Sequence, residues 1–207
     1  TDAVERISIQ YGTSFGYPVS SMGAHVSASP NLQTKREMSL ETRGIVAMAG
    51  VLGYELDVRK LSQDEREAIK EQIRWYKEHQ ELILNGDYYR LTAVEENPDY
   101  AAWQFVSRDQ ETSLVSAVCL HARSNPPFLR VRLKGLRENM WYRIRCEMFE
   151  GRDKQKTELG TEDNGTGGEE AKEMICLGSG LMYAGVNLPV FDRDYQSVRY
   201  VVESVDR

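Results

Sequence analysis

Carboxylates, histidines and thiols are the side chains able to do chemistry in this sequence. Glu55 and Asp57, in the run GYELD, are spaced i, i+2, which on a strand turns both to one side. Two carboxylates on one face can divide into an acid and a base, or can simply bind neighbouring loops, and hydrogen bonding to loops is the reading taken for this pair. Asp2, in the opening TDA, stands directly before a helix-patterned run and reads as its N-cap, a role that contributes about 1 kcal/mol. Cys119, Cys146 and Cys176 are odd in number, widely spaced and set in apolar surroundings. No metal-ligand spacing ties them to His25, His79 or His121, so they read as buried free thiols in a reducing compartment, with a cytoplasmic location expected. The run GYPVSSMGAHVSASPN, residues 16–31, is unusual in another way: it is too small-sided for an ordinary buried strand and too poor in charge for a plain loop.

The elements that must position these residues fall into two kinds. Asp2 followed by Val4, Ile7 and Tyr11 predicts a first helix ending near Gly16 and Pro18. SSMGAHVS predicts a short buried strand, with His25 on the opposite side from Met22 and facing a helix or loop. SLETRGIVAMAGV predicts a second helix and LGYELDV a second strand. Ser62 and Glu65 form a capping box ahead of a third helix, whose stripe is Ile69, Ile73, Tyr76 and Ile83, and Asn85-Gly86 suggests a left-handed stop. Alternating helix and strand is an α/β pattern with parallel strands.

Beyond residue 87 the period changes to two. AWQFVS, LVSAVCLHA, FLRVRLKGL, YRIRCEMF and VRYVVESV predict short antiparallel strands of a β-sandwich, one face buried and one wet. The polar, glycine-bearing stretch 150–173 reads as a long loop or insertion. The fold class is therefore α/β followed by all-β, with units at 1–88 and 89–207.

Composition narrows the partners. The chain has 207 residues, 41% hydrophobic and 28% charged, with a formal net charge of −6, which leaves no electrostatic footprint for nucleic acid. The arginines of FLRVRLKGLRENMWYRIRC alternate with apolar residues and read as the wet face of strands. No apolar run approaches the ~20 residues of a membrane helix, and no signal peptide is evident. The first residues, TDAVERI, read like the interior of a gene.

Several strings then converge. TDAVERISIQYGTSFGYPVSSMGAHVSASPN, LETRGIVAMAGVLGYELDVRKLS, IKEQIRWYKEHQELILNGDYYRL and GSGLMYAGVNLPV together resemble the C-terminal part of the family 36 glycoside hydrolases, the bacterial α-galactosidases. That resemblance implies a (β/α)8 barrel, here represented by its final strands and helices, followed by a C-terminal β-sandwich. It implies hydrolysis of terminal α-galactosyl groups of melibiose- or raffinose-type sugars with retention, and no metal or organic cofactor. It also implies homo-oligomers and the N-terminal part of the same enzyme as partner. The family nucleophile lies in K-W-D-x-N, which does not occur here, and the acid/base is the first Asp of S-D-x-T-D-A. Thr1 and Asp2 match the last Thr and Asp of that motif, so both reacting carboxylates are expected upstream and no catalytic residue is assigned.

Ser21 and Met22 are the expected substrate-binding residues, on a strand kept slim beside the sugar, with the Met22 thioether on the apolar face of galactose; filling of the core is the alternative for Met22. Two departures stand out: PNLQTKR replaces the family's P-N-H-Q-T-G-R, with Leu32 for His and Lys35 for Gly. A second function class stays open, a non-catalytic carbohydrate-binding or assembly module using Trp103, Trp141 or Tyr183, although packing in the core is the favoured reading for these aromatics because Trp103 and Trp141 lie within or beside apolar runs.

Overall fold

The computed structural model describes residues 1–92, 97–125, 128–147 and 173–206. The first helix, α1 (Ala3–Thr13), starts at Asp2, whose side chain accepts the Glu5 amide. A 3-10 turn at Val19–Ser21 leads into β1 (Gly23–Ser27). Helix α2 (Leu40–Ala47) is capped by Ser39, and β2 (Val51–Glu55) follows. A further 3-10 turn, Val58–Lys60, is capped by Asp57. Asp57 thus lies beyond the strand, where it binds Arg59, and does not share a strand face with Glu55 as its spacing suggested.

Strands β1 and β2 run parallel, with Ala24 opposite Leu52 and Val26 opposite Tyr54. These four pack against Leu40 and Ala47 of α2 and, through Ile69, against the third helix. That helix, α3 (Gln63–Asn85), carries the full Ser62/Glu65 capping box. It ends differently from the expected left-handed stop: Gly86 is extended at φ −77. Glycine is needed there for room, because a β-carbon would press on the Leu82 and Val106 carbonyls.

The chain then builds a six-stranded antiparallel sheet. Its strands are β3 (Asp87–Arg90), β4 (Tyr100–Val106), β5 (Thr112–Cys119), β7 (Trp141–Glu147), β8 (Glu173–Leu177) and β10 (Ser197–Val205), in the order β3-β4-β5-β10-β7-β8. A separate ladder joins β6 (Arg130–Val131) to β9 (Val186–Asn187), beside the short helix α4 (Gly178–Tyr183). Among the described residues, this ladder, α4 and extended segments make up the layer opposite the sheet. Most of the predicted stretch 150–173 lies outside the described residues.

The sheet buries both faces of its middle strands. One side packs Val115, Ala117, Tyr142, Val198 and Val202 against Val131, Leu181 and Val186. The other packs Trp103, Phe105, Leu114 and Val201 against Ile45, Met48, Tyr76 and Ile83 of the helices. The wet face predicted for these strands is therefore missing from β4 and β5, because α2 and α3 cover it. It survives at Arg130, Arg132 and Lys134, which are exposed.

Candidate functional site

In open α/β sheets ligands gather outside the carboxyl ends of parallel strands. Here those ends are Ser27 of β1 and Glu55 of β2, and the first residues of the chain join them. The Ser27 hydroxyl donates to the Thr1 carbonyl at 3.0 Å. The loop after β1 returns to the same place: the Thr34 hydroxyl donates to Asp2 at 2.9 Å and the Arg36 guanidinium donates to the same carboxylate oxygen. That loop is closed on itself by Asn31, whose side chain accepts the Gln33 and Thr34 amides. Burial pushes the Asp2 pKa upward, but the Glu5 amide, the Thr34 hydroxyl and Arg36 outweigh it and hold the carboxyl below its ordinary value.

The side of the β1–β2 pair turned away from the helices is open. Gly23 and His25 of β1 and Val51 and Glu55 of β2 line it. His25 lies over Gly53, where a β-carbon would collide with its ring, and its Nδ1 is 3.9 Å from the Glu55 carboxylate. It thus faces the open side; the helix side expected for it is taken by Ala24 and Val26. Arg6 of α1 reaches the same area and donates to the Gly23 carbonyl at 3.2 Å.

Ser21 and Met22 lie at the other end of β1. Ser21 closes the 3-10 turn with its hydroxyl on the Pro18 carbonyl at 2.7 Å. Met22 is 8% exposed and packs with Val19, Met48 and Ala49, while its carbonyl accepts the Val51 amide. Five residue steps separate Met22 from Ser27, a span of about 16 Å at the usual rise. Residues 31–36, in contrast, cluster with Thr1 and Asp2. No sequence signal pairs Arg36 or Thr34 with Asp2, since both contacts are made by a loop that returns from more than thirty positions away.

Among the described residues no group of three His, Cys, Asp or Glu side chains is placed to hold a metal ion. Cys119 and Cys146 are both pushed up to about 11, chiefly by burial, which keeps them as thiols rather than nucleophiles. Of the three aromatics open to a sugar-contact role, Trp103 is buried at 6% and Trp141 is half-buried, whereas Tyr183 is 66% exposed.

Residues 1–86 match the Melibiase family, and residues 100–202 match the glycosyl hydrolase family 36 C-terminal domain. The chain belongs to glycoside hydrolase family 36. Alpha-galactosidase AgaA of Geobacillus stearothermophilus is 44% identical over 207 residues, all of this chain and 25% of AgaA. The bifunctional alpha-galactosidase/sucrose kinase AgaSK of Mediterraneibacter gnavus is 42% identical over 200 residues, 97% of this chain and 19% of its own length. A crystal structure of an AgaA variant in complex with raffinose aligns with a TM-score of 0.82 at 41% identity, over 99% of this chain and 25% of that one. This family 36 chain therefore spans about a quarter, or less, of the length of these relatives. One departure from the family pattern has a visible consequence in it. Lys35, standing where the resemblance has glycine, holds φ 59, a left-handed conformation that glycine adopts without strain.

Proposed function

We propose that this chain is the C-terminal part of an α-galactosidase. In this reading residues 1–88 form the last strands and helices of a (β/α)8 barrel, and residues 89–207 a β-sandwich packed on its helices. The complete enzyme hydrolyses terminal α-galactosyl groups by double displacement with retention, in a cytoplasmic setting and without a cofactor. The carboxylates that react belong to the preceding part of the enzyme. The chain alone is inactive, and its partner is that preceding part.

The observation that carries this reading is the meeting of Thr1 and Asp2 with Ser27, Thr34 and Arg36 at the carboxyl end of β1. By its match to S-D-x-T-D-A, the residue that protonates the leaving group stands two positions before Thr1, and reacting groups of barrel enzymes sit at that rim. Parallel strands are ordinarily covered on both faces. The open face around His25 and Glu55 therefore supports further strands closing over it. Relatives crystallised with raffinose and stachyose support the substrate class. Ser21 and Met22 lie at the foot of β1, where Ser21 closes a turn and Met22 packs in the core, and Ser27 and the loop 31–36 stand at the sugar end.

Proton NMR of the complete protein acting on melibiose tests this. The first galactose released appears as the α-anomer if the reaction proceeds with retention. Release of the β-anomer first, or no hydrolysis of any α-galactoside, defeats the reading.

Tyr183 favours a second, additional reading. Its exposed ring borders an open cleft with Arg130, Arg132 and Leu91, and its hydroxyl is fixed on Glu138. An aromatic platform flanked by donors suits a saccharide. Titrating raffinose into the chain while following Tyr183 ring resonances tests it, and no saturable shift rejects it.

A further inference from the structure

Tyr195 lies in the loop leading into β10, and its backbone stands at φ 66. For a bulky side chain this left-handed conformation is a true outlier, sustained only where the surroundings over-determine it. The surroundings here are specific. The Tyr195 amide donates to the Cys119 carbonyl at 2.9 Å, and next to it the Asp194 carboxylate accepts the Ala122 amide at 2.7 Å. Both contacts tie the loop to the end of β5. The ring so presented carries the Arg36 guanidinium 5.5 Å from its centroid. The same guanidinium donates to Asp2. Asp2 is 5% exposed and starts α1 through the Glu5 amide. An unbroken line of contacts therefore runs from the antiparallel sheet through Tyr195 and Arg36 to the chain's first carboxylate.

A second bond crosses nearby, between the Thr42 and Ser197 hydroxyls at 2.9 Å. It holds α2 to the sheet, but it does not reach Asp2. The Tyr195–Arg36 contact, in contrast, links the sheet to the loop 31–36 and, through Arg36, to Asp2. A residue needed only to make this turn would be better served by Asn or Gly, which enter the left-handed region readily. What the strained position gains is an aromatic face beneath Arg36.

We infer that Tyr195 is a positioning residue for the proposed hydrolysis: its ring holds Arg36 against Asp2 and thereby fixes, from the sheet, the turn that follows the proton donor. The inference rests on the proposed function, in which that donor stands two positions before Thr1. Tyr195 does not touch substrate. Its effect is on the placement of the donor, where errors of about 1 Å can lower turnover up to a hundredfold.

The test is steady-state kinetics of the complete enzyme on 4-nitrophenyl α-galactoside. Y195N keeps a residue suited to the left-handed turn and removes the ring. It is expected to lower kcat about tenfold with KM within about twofold, because orientation rather than binding is lost. Y195F keeps the ring and restores kcat. In R36A the added Y195N change has no further effect on kcat, since the two act in series. Y195N with wild-type kcat, a Y195F loss equal to that of Y195N, or full additivity with R36A overturns the inference. A wild-type enzyme inactive on every α-galactoside overturns instead the function on which it rests.

Discussion

The Arg199 guanidinium lies 3.1 Å from the centre of the Trp75 ring, so that β10 and α3 are pinned together through a cation on an aromatic face. Glu147 completes the group, accepting the Trp75 indole N–H at 2.9 Å and standing 3.6 Å from Arg199. Arg199 is 1% exposed, and burial draws its pKa down to about 9 against the pull of Glu147. Interior charges of this kind depend on their partners far more than surface ones do.

Removing Arg199 therefore costs more than its contact area suggests. R199A leaves the Glu147 carboxylate facing an emptied, largely buried site and is expected to lose about 3 kcal/mol in urea unfolding. R199M, which fills the space without a charge, is expected to lose clearly less. Equal losses would show that volume, not charge pairing, holds this interface.

Asp2 gives a pH dependence with a definite sign. Its folded pKa is below the ordinary 3.8, so the native state binds fewer protons there than the unfolded chain. The stability it contributes is fully present above the unfolded pKa and is lost as pH falls through the folded one. D2A is expected to lose about 1–2 kcal/mol at pH 7, from the cap and the unpaired Arg36. The deficit of D2A relative to wild type shrinks as the pH falls below about 4. A deficit constant from pH 7 to pH 2 would remove the charge from this explanation and leave only the cap.

Helix α2 packs closely because Gly44 leaves space for Gln72. The Gln72 amide donates to the Leu40 carbonyl at 3.0 Å and accepts the Tyr54 hydroxyl at 2.8 Å, and a β-carbon at 44 would overlap it. G44A is expected to destabilise by about 1–3 kcal/mol, although alanine is the better helix former. Thermal unfolding monitored by circular dichroism reads this directly, and a raised midpoint contradicts it.

Much of this was legible in the sequence where the determinants are local. The Asp2 cap and the Ser62/Glu65 box each act within four residues, and both are made as their spacing demands. The change of period beyond residue 87 likewise marked the antiparallel sheet. What escaped was set by distant partners. β4 and β5 are dry on both faces because helices from earlier in the chain cover them. Gly86 marked the end of α3 correctly but for another reason, the nearness of two carbonyls. At the candidate site slimness drew attention to Ser21 and Met22 at the start of β1, whereas the chain's first residues meet the strand at its other end, beside Ser27. The bond between Arg36 and Asp2 spans 34 positions and leaves no local trace.

Lys35 shows what a departure from the family pattern does to the loop. Its ammonium donates to the Leu32 carbonyl at 2.8 Å, so the two altered positions are coupled, and its φ of 59 carries strain. K35G relieves that strain at the cost of one exposed bond and added freedom in the unfolded chain. The net gain is expected to be small, under about 1 kcal/mol. A fall in thermal midpoint would mean that the Lys35–Leu32 bond outweighs the backbone term.

The most direct measurement is whether the purified 207-residue chain, freed of host enzyme, releases nitrophenol from 4-nitrophenyl α-galactoside. In the proposed reading the rim at Asp2, Ser27 and Arg36 positions reacting groups and does not supply them, so release should not exceed the enzyme-free blank. Turnover at enzymatic rates by the chain alone would contradict the account.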